Sequence, residues 1–190
     1  MSGRDWLGAH RTEVAAERIL DAAETLFADT PAATVGMNDI AAAAGCSRAT
    51  LYRYFENRDA LHTAYVHRET HRLYRELTDR LTSITDPQER LVQGMLGCLH
   101  MVRDNPALAS WFTAAERPLG GEMAEQSPVI AALAETFVGS LGAGERVDQR
   151  ARWLVRILTS LLMFPGRDDA DEAAMLAEFV VPQIVAVTPG

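Results

Sequence analysis

"AAAAGCSRATLYRYFENRDAL", residues 41–61, is the stretch that decides the fold. Ile40, just upstream, and Ala44 lie four apart on one face of a helix, and Gly45 ends that helix by adopting the left-handed conformation. Cys46 then fills the corner. Ser47 is placed to cap a new helix, its hydroxyl reaching the unpaired N–H groups near Ala49 and Thr50. Leu51 and Phe55, again four apart, turn inward. Helix, tight glycine turn and helix make a helix-turn-helix, a unit whose second helix enters the DNA major groove.

The outward residues of that second helix are Arg48, Ala49, Thr50, Tyr52 and Arg53. Ala49 is small enough to let the helix approach base edges, and its methyl matches a thymine methyl. Thr50 can donate or accept. Arg48 can fork onto guanine O6 and N7 or onto a phosphate, and both options stay open. Ser47 and the free N–H groups of the helix start form a phosphate seat. Tyr52, Tyr54 and Arg58 suit backbone clamping. Any corner between two helices has capped serines and surface arginines. What favours DNA is the crowd of Arg, Thr and Tyr directly after a small-residue turn.

Outward from this motif the chain reads as all-α, because no segment shows sustained apolar alternation every second residue. About nine helices are expected. A first covers Thr12 to Ala28, with Thr12 as its cap, and is ended by "DTPAATVG". Two short ones cover Met37 to Ala44 and Arg48 to Tyr54, and a long fourth starts after Asn57 and reaches Leu81. Beyond "TSITDPQ", helices are expected over Gln88 to Arg103, Pro106 to Ala114, Pro128 to Leu141, Val147 to Phe164 and Asp171 to Val187. Pro87, Pro106 and Pro128 suit first helical turns. "RPLGGEMAEQS", Arg117 to Ser127, is expected to be a mobile loop.

Composition bounds the class. The 190 residues are 48% apolar, enough for a substantial core. No run approaches the roughly eighteen apolar residues of a membrane span, and the charged N-terminus lacks a signal peptide's apolar stretch. A cytoplasmic protein without membrane partners is expected. Cys46 and Cys98 lie far apart without CxxC spacing, so neither a disulfide framework nor a zinc knuckle is implied. A net charge of -8 argues against a protein that coats nucleic acid over its whole surface. Between Cys46 and Arg75, however, Arg48, Arg53, Arg58, Arg68, Arg72 and Arg75 outnumber Glu56, Asp59 and Glu69, so positive charge gathers beside the motif.

Residues Thr34 to Tyr65 resemble the N-terminal signature of the TetR family of bacterial transcriptional repressors. The matching features are Ile40 and Ala41, the turn from Ala44 to Ser47, Leu51 with Tyr52, Tyr54 with Phe55, and the block Asn57, Arg58, Asp59 to Leu61. "RILDAAETLF", Arg18 to Phe27, resembles the family's first helix. The resemblance implies an all-α homodimer with a three-helix DNA-binding head, residues 1–56, and an effector-binding and dimerisation body, residues 57–190. It implies phosphate contacts from Ser47, Tyr52, Tyr54 and Arg58 and groove readers in Arg48, Ala49 and Thr50. Cys46 replaces a valine usual there. Gly36 stands where a serine or threonine often caps the second helix and contacts phosphate, and Thr34 is the candidate substitute.

The family resemblance implies a ligand-responsive regulator, most simply a repressor released from a (pseudo)palindromic operator by a small molecule. Met95, Cys98, Met101, Trp111, Phe112, Phe137, Trp153 and Met163 are the candidate effector pocket, large soft side chains that point to an apolar or aromatic ligand, and equally the stuff of an ordinary core. His100 and Glu116 are candidate polar anchors. His67 and His71 are four apart but lack an HExxH pattern, so they and His62 are read as surface residues, and no metal or cofactor is expected. Val147, Ala151, Leu154, Leu158, Leu161 and Leu162, with Met175, Phe179, Val180, Ile184 and Val187, are the candidate dimer stripes. An effector-independent DNA-binding dimer is the alternative. A small helical enzyme is disfavoured because no nucleophile, base and orienting acid assemble at recognisable spacing.

Overall fold

The computed structural model describes residues 3–112, 119–142 and 144–185, all of whose regular elements are helical. α1 (Gly3–Asp29), α2 (Met37–Ala43) and α3 (Arg48–Tyr54) form the N-terminal unit. α4 (Arg58–Arg80) leads into α5 (Pro87–Arg103), α6 (Pro106–Ala109), α7 (Leu119–Gln126), α8 (Pro128–Ser140) and α9 (Val147–Met163). The chain closes with α10 (Asp169–Met175), a π-helical turn (Leu176–Val180) and α11 (Val181–Ile184).

The three prolines do start helices, each behind a side chain that accepts from the first turn. Asp86 accepts from the Glu89 N–H at 2.8 Å, Asn105 from Ala107 at 3.0 Å, and Ser127 from Ile130 at 3.2 Å.

Four boundaries differ from the sequence expectation. α1 begins well before Thr12, which therefore lies inside the helix and is not its cap; nothing in residues 3–11 other than Gly3 and Gly8 opposes helix. The sixth helix is a single turn that stops at Ala109 rather than reaching Ala114, and Thr113 and Ala114 lie outside the described residues. Residues 119–126, expected to be loop, form α7; Arg117, Pro118 and the anchor candidate Glu116 lie outside the described residues. The last helix is interrupted by the π-turn, where the Val181 N–H donates to Leu176 five residues back. Pro182 explains it: proline has no N–H to give Glu178 and its ring crowds that carbonyl, so a widened turn relieves the clash.

The core falls into two clusters. One joins the head to the body: Phe27, Ile40, Leu51 and Phe55 pack in continuity with Leu61 and Tyr65 of α4 and with Val102, Leu108 and Trp111. The other lies among α5, α8, α9 and the C-terminal helical segment. The buried cluster therefore runs unbroken across residue 56. The apolar stripe of α9 is core: Ala151 and Leu154 are buried, as are Val180 and Ile184 opposite them. Those four positions of the expected dimer stripes are filled from within the chain; Val187 lies outside the described residues. Large apolar side chains left exposed there are their neighbours Trp153 and Phe164, together with Phe179, which the stripe did include.

α4 is fastened to α1 by charge. The Arg68 guanidinium donates to Asp21 at 2.8 Å, Glu24 at 2.6 Å and Glu17 at 3.2 Å, and its Nε to Glu69 at 2.8 Å. Arg72 adds a contact to Glu69 at 3.0 Å. Burial and the neighbouring Glu69 carboxylate push the Glu24 carboxyl above its ordinary range, against the pull of Arg68 and Arg72. The arginine excess counted along the sequence is thus reduced in space, because Arg68 and Arg72 face acids of α1.

Candidate nucleic-acid interface and ligand cavity

The α2–α3 corner forms as its local chemistry requires. Gly45 has φ +65°, the Cys46 N–H donates to Ala41 at 3.0 Å and the Gly45 N–H to Ala42 at 3.1 Å, the paired bonds of a glycine-ended helix. A side chain at Gly45 would be strained by that backbone, whatever the space around it. Ser47 Oγ accepts from the Thr50 N–H at 3.1 Å and lies 2.9 Å from Thr50 Oγ1. Leu51 and Phe55 are buried beneath.

α3 shows one face to solvent. Ser47, Arg48, Ala49, Tyr52 and Arg53 are exposed, while Thr50 and Tyr54 are half-buried. The Arg48 guanidinium lies over the Tyr52 ring at 5.6 Å and that of Arg53 over Tyr54 at 5.2 Å, shallow contacts that hold the two cations along the helix rather than bury them. Among the described residues neither arginine is in an ion pair, so both keep their charge for an incoming anion.

Two predicted contacts are placed differently. The Arg58 side chain turns into the head, where Nη2 donates to the Ala32 carbonyl at 2.8 Å and ties the α1–α2 connection to the start of α4. The Thr34 hydroxyl donates to the Pro31 carbonyl at 2.8 Å, closing its own turn. At Gly36 the missing hydroxyl cap is met by Asp39, whose Oδ2 accepts the Gly36 N–H at 3.0 Å.

In the body, α4, α5, α7, α8 and α9 surround a cavity of about 200 Å³. Met95, Cys98, Met101, Trp111, Phe112 and Phe137 line it, as their side-chain type suggested. Trp153 and Met163 do not: Trp153 is 41% exposed on the outer side of α9, and Met163 sits at that helix's last residue. His100 is not an anchor either; its Nε2 lies 3.0 Å from Asp169 at the surface.

Sequence reasoning missed much of the wall. Leu73, Tyr74 and Leu77 of α4 contribute, as do Leu158 and Leu162 of α9. Two glycines shape it, since a Cβ at Gly94 would stand 2.6 Å from the Phe137 ring and one at Gly120 2.6 Å from that of Phe112. The wall carries no cation among the described residues, and its charged member is Glu69, whose carboxylate Arg68 and Arg72 already hold. Burial pushes the Cys98 thiol up to about 11, which keeps it a neutral apolar wall group.

His62 also departs from expectation. It is 4% exposed rather than on the surface, its ring edge-on to Phe27 and Trp111 at 5.7 and 4.9 Å. The signal was available, because 62, 65 and 69 repeat at helical spacing along one face of α4 and all are buried. His67 is half-buried and His71 exposed, and no group of three potential metal ligands occurs among the described residues. Nor is any helix there long and apolar enough to cross a membrane.

Known proteins match both parts. Residues 19–65 fit the family of bacterial regulatory proteins described as the tetR family. Over its whole length the chain is 63% identical to an uncharacterized HTH-type transcriptional regulator of Mycobacterium tuberculosis, Rv1255c, covering 93% of that protein. Two solved structures share the fold. One is AlkX of a Dietzia species, a TetR family repressor implicated in biodegradation of n-alkanes (24% identity, TM-score 0.66, covering 89% of this chain and 94% of that one). The other is RolR in complex with resorcinol (18% identity, TM-score 0.74, covering 93% and 90%). With its helix-turn-helix head and full-length match to a transcriptional regulator, this chain belongs to the TetR family of bacterial transcriptional regulators.

Proposed function

We propose that this regulator is a homodimeric repressor whose grip on a (pseudo)palindromic operator is released by a small apolar or aromatic effector in the body cavity. The observation that carries it is the position of Trp111, which lines the cavity and packs on Phe27 of α1 and Tyr65 of α4. A ligand that reshapes the cavity therefore presses on the joint between head and body. A cavity placed there favours this over an effector-independent regulator. To act as a switch, the effector must bind the released state more tightly than the DNA-bound one.

In this reading residues 1–56 are the DNA-binding head and residues 57–190 the effector and dimerisation body. Arg48, Ala49 and Thr50 read the groove, while Ser47, Tyr52, Arg53 and Tyr54 hold phosphates. The Arg58 Nη2 is already given to Ala32 and the Thr34 hydroxyl proton to Pro31, so in this reading their main part is to fix the head's shape. Footprinting of the purified chain on its operator is expected to show two half-sites about 34 to 36 Å apart, the spacing two heads of a dimer require. Arg48→Ala is expected to weaken that binding by about 2 kcal/mol and to relax base preference. A single protected half-site refutes the dimer, and unchanged affinity refutes the role of Arg48.

The effector claim is tested by operator release across a library of apolar compounds, with Gly120→Ala beside the wild type. An added methyl would stand 2.6 Å from the Phe112 ring and force this wall residue to shift, so effector affinity is expected to fall about tenfold while effector-free operator binding stays unchanged. If no compound releases the wild type, the protein is an effector-independent regulator.

A further inference from the structure

The cavity wall is apolar almost throughout, and one of its residues, Trp111, belongs to a buried aromatic cluster that reaches into the head. Trp111, His62 and Tyr65 are 3%, 4% and 0% exposed, and the Trp111 ring lies 4.9 Å from that of His62 and 5.8 Å from Tyr65, stacked on the latter within 10°. Each carries a buried polar atom that has no hydrogen-bond partner among the described residues: Trp111 Nε1, His62 Nε2 and Tyr65 OH. Leaving such a group unpaired is unfavourable, and folded proteins keep few of them. Three in one aromatic cluster, with Trp111 itself in the cavity wall, mark a place where a polar group of a ligand is accepted. Burial and Arg58 bring the His62 imidazole down to about 4, so the cluster offers no positive charge at neutral pH.

We propose that the effector is a neutral, mostly hydrocarbon molecule bearing one hydroxyl or carbonyl oxygen, and that this oxygen accepts the Trp111 indole N–H at the head end of the cavity. The proposal rests on the effector reading above and adds the chemical class and the seat. A carboxylate is disfavoured by the described wall, which would bury an anion near Glu69 and which, among the described residues, offers no free cation to meet it. Size fits as well: the cavity of about 200 Å³ exceeds the roughly 150 Å³ that is known to hold benzene in an apolar void. It takes one ring or a chain of medium length.

Octane, octanol and octanoate separate the possibilities when titrated into the full-length protein, with affinity and operator release both measured. The wild type is expected to prefer octanol over octane by about tenfold, the worth of one buried hydrogen bond, and to bind octanoate most weakly. Trp111→Phe keeps a ring and removes the N–H, so the preference for octanol over octane is expected to vanish, whatever the change in absolute affinity. Should that variant fail to fold, the Trp111 indole N–H resonance of the wild type decides: it is expected to move downfield with octanol and not with octane. Equal binding of octanol and octane, tightest binding of octanoate, or an unmoved indole resonance would each overturn the seat. So would equal loss of both ligands in Trp111→Phe. If octane binds and releases the operator as well as octanol does, the effector reading stands and the oxygen seat falls. If none of the three binds, the oxygen seat falls, and the effector reading is decided by the library screen.

Discussion

Replacing Arg103 with alanine is expected to lower the unfolding midpoint by roughly 6 to 12 °C, from a loss of about 3 kcal/mol. Arg103 ends α5, and its guanidinium grips Glu172 of α10 with both arms, Nη2 to Oε1 at 2.7 Å and Nη1 to Oε2 at 2.9 Å. Nη2 also donates to the Leu161 carbonyl of α9 at 3.0 Å, and Glu172 Oε1 accepts the Gly166 N–H at 2.9 Å. One ion pair thus joins three helices, two of which, α5 and α9, form cavity wall. Glu172 is 1% exposed, so removing the cation leaves a buried carboxylate with one backbone donor. The loss therefore comes mainly from the stranded charge, and Glu172→Gln, which is neutral, is expected to cost only about 1 kcal/mol.

The pH dependence has a definite sign. Arg103 holds the Glu172 carboxyl below its ordinary range, against the opposing effect of burial. In the wild type this carboxylate contributes stability above the ordinary pKa of 4.5, and that contribution is lost as pH falls through the lowered folded value. Without Arg103, burial dominates and protonation relieves the variant. Thermal melts of the two proteins should therefore converge as pH falls toward 4, and a gap that stays constant with pH would refute the stranded-charge account.

Where function depends on neighbours in sequence, it was legible. Gly45, Ser47, Leu51 and Phe55 lie within eleven residues, and their roles follow from helix-end geometry that needs no distant partner. The cavity was legible only by residue type. Met101 and Trp153 are chemically alike as large soft side chains, yet one faces the cavity and the other solvent, a difference that only packing between distant helices creates. α7 was hidden because two adjacent glycines argue for loop. Tertiary contact overrides that propensity, since Gly120 is the flat spot on which the Phe112 ring rests. Charge misled for the same reason: Arg68 looks like part of a basic patch, but three of its four acids are 44 to 51 positions away.

Acidification is expected to weaken the wild type through His62 by about 3 kcal/mol between pH 6.5 and 4. The residue is buried against Phe27 and Trp111, and burial, helped by Arg58 and opposed by Asp59, brings its imidazole from 6.5 down to about 4. In the unfolded chain the same ring takes up a proton below 6.5. The unfolded state therefore binds more protons throughout this window, and stability, complete above 6.5, drains away as pH falls. His62→Phe keeps an aromatic ring in the cluster and removes the titration, so its stability curve should lack this slope while retaining that of Glu172. The readout is the difference in slope, which survives even if the substitution shifts stability uniformly. Because His62 lies between α1, α4 and Trp111, its protonation strains the joint on which operator release is proposed to depend. Operator affinity of the wild type should accordingly fall below about pH 5 more steeply than that of His62→Phe. Parallel stability curves for the two proteins across the window would show that the imidazole is not held neutral by the fold.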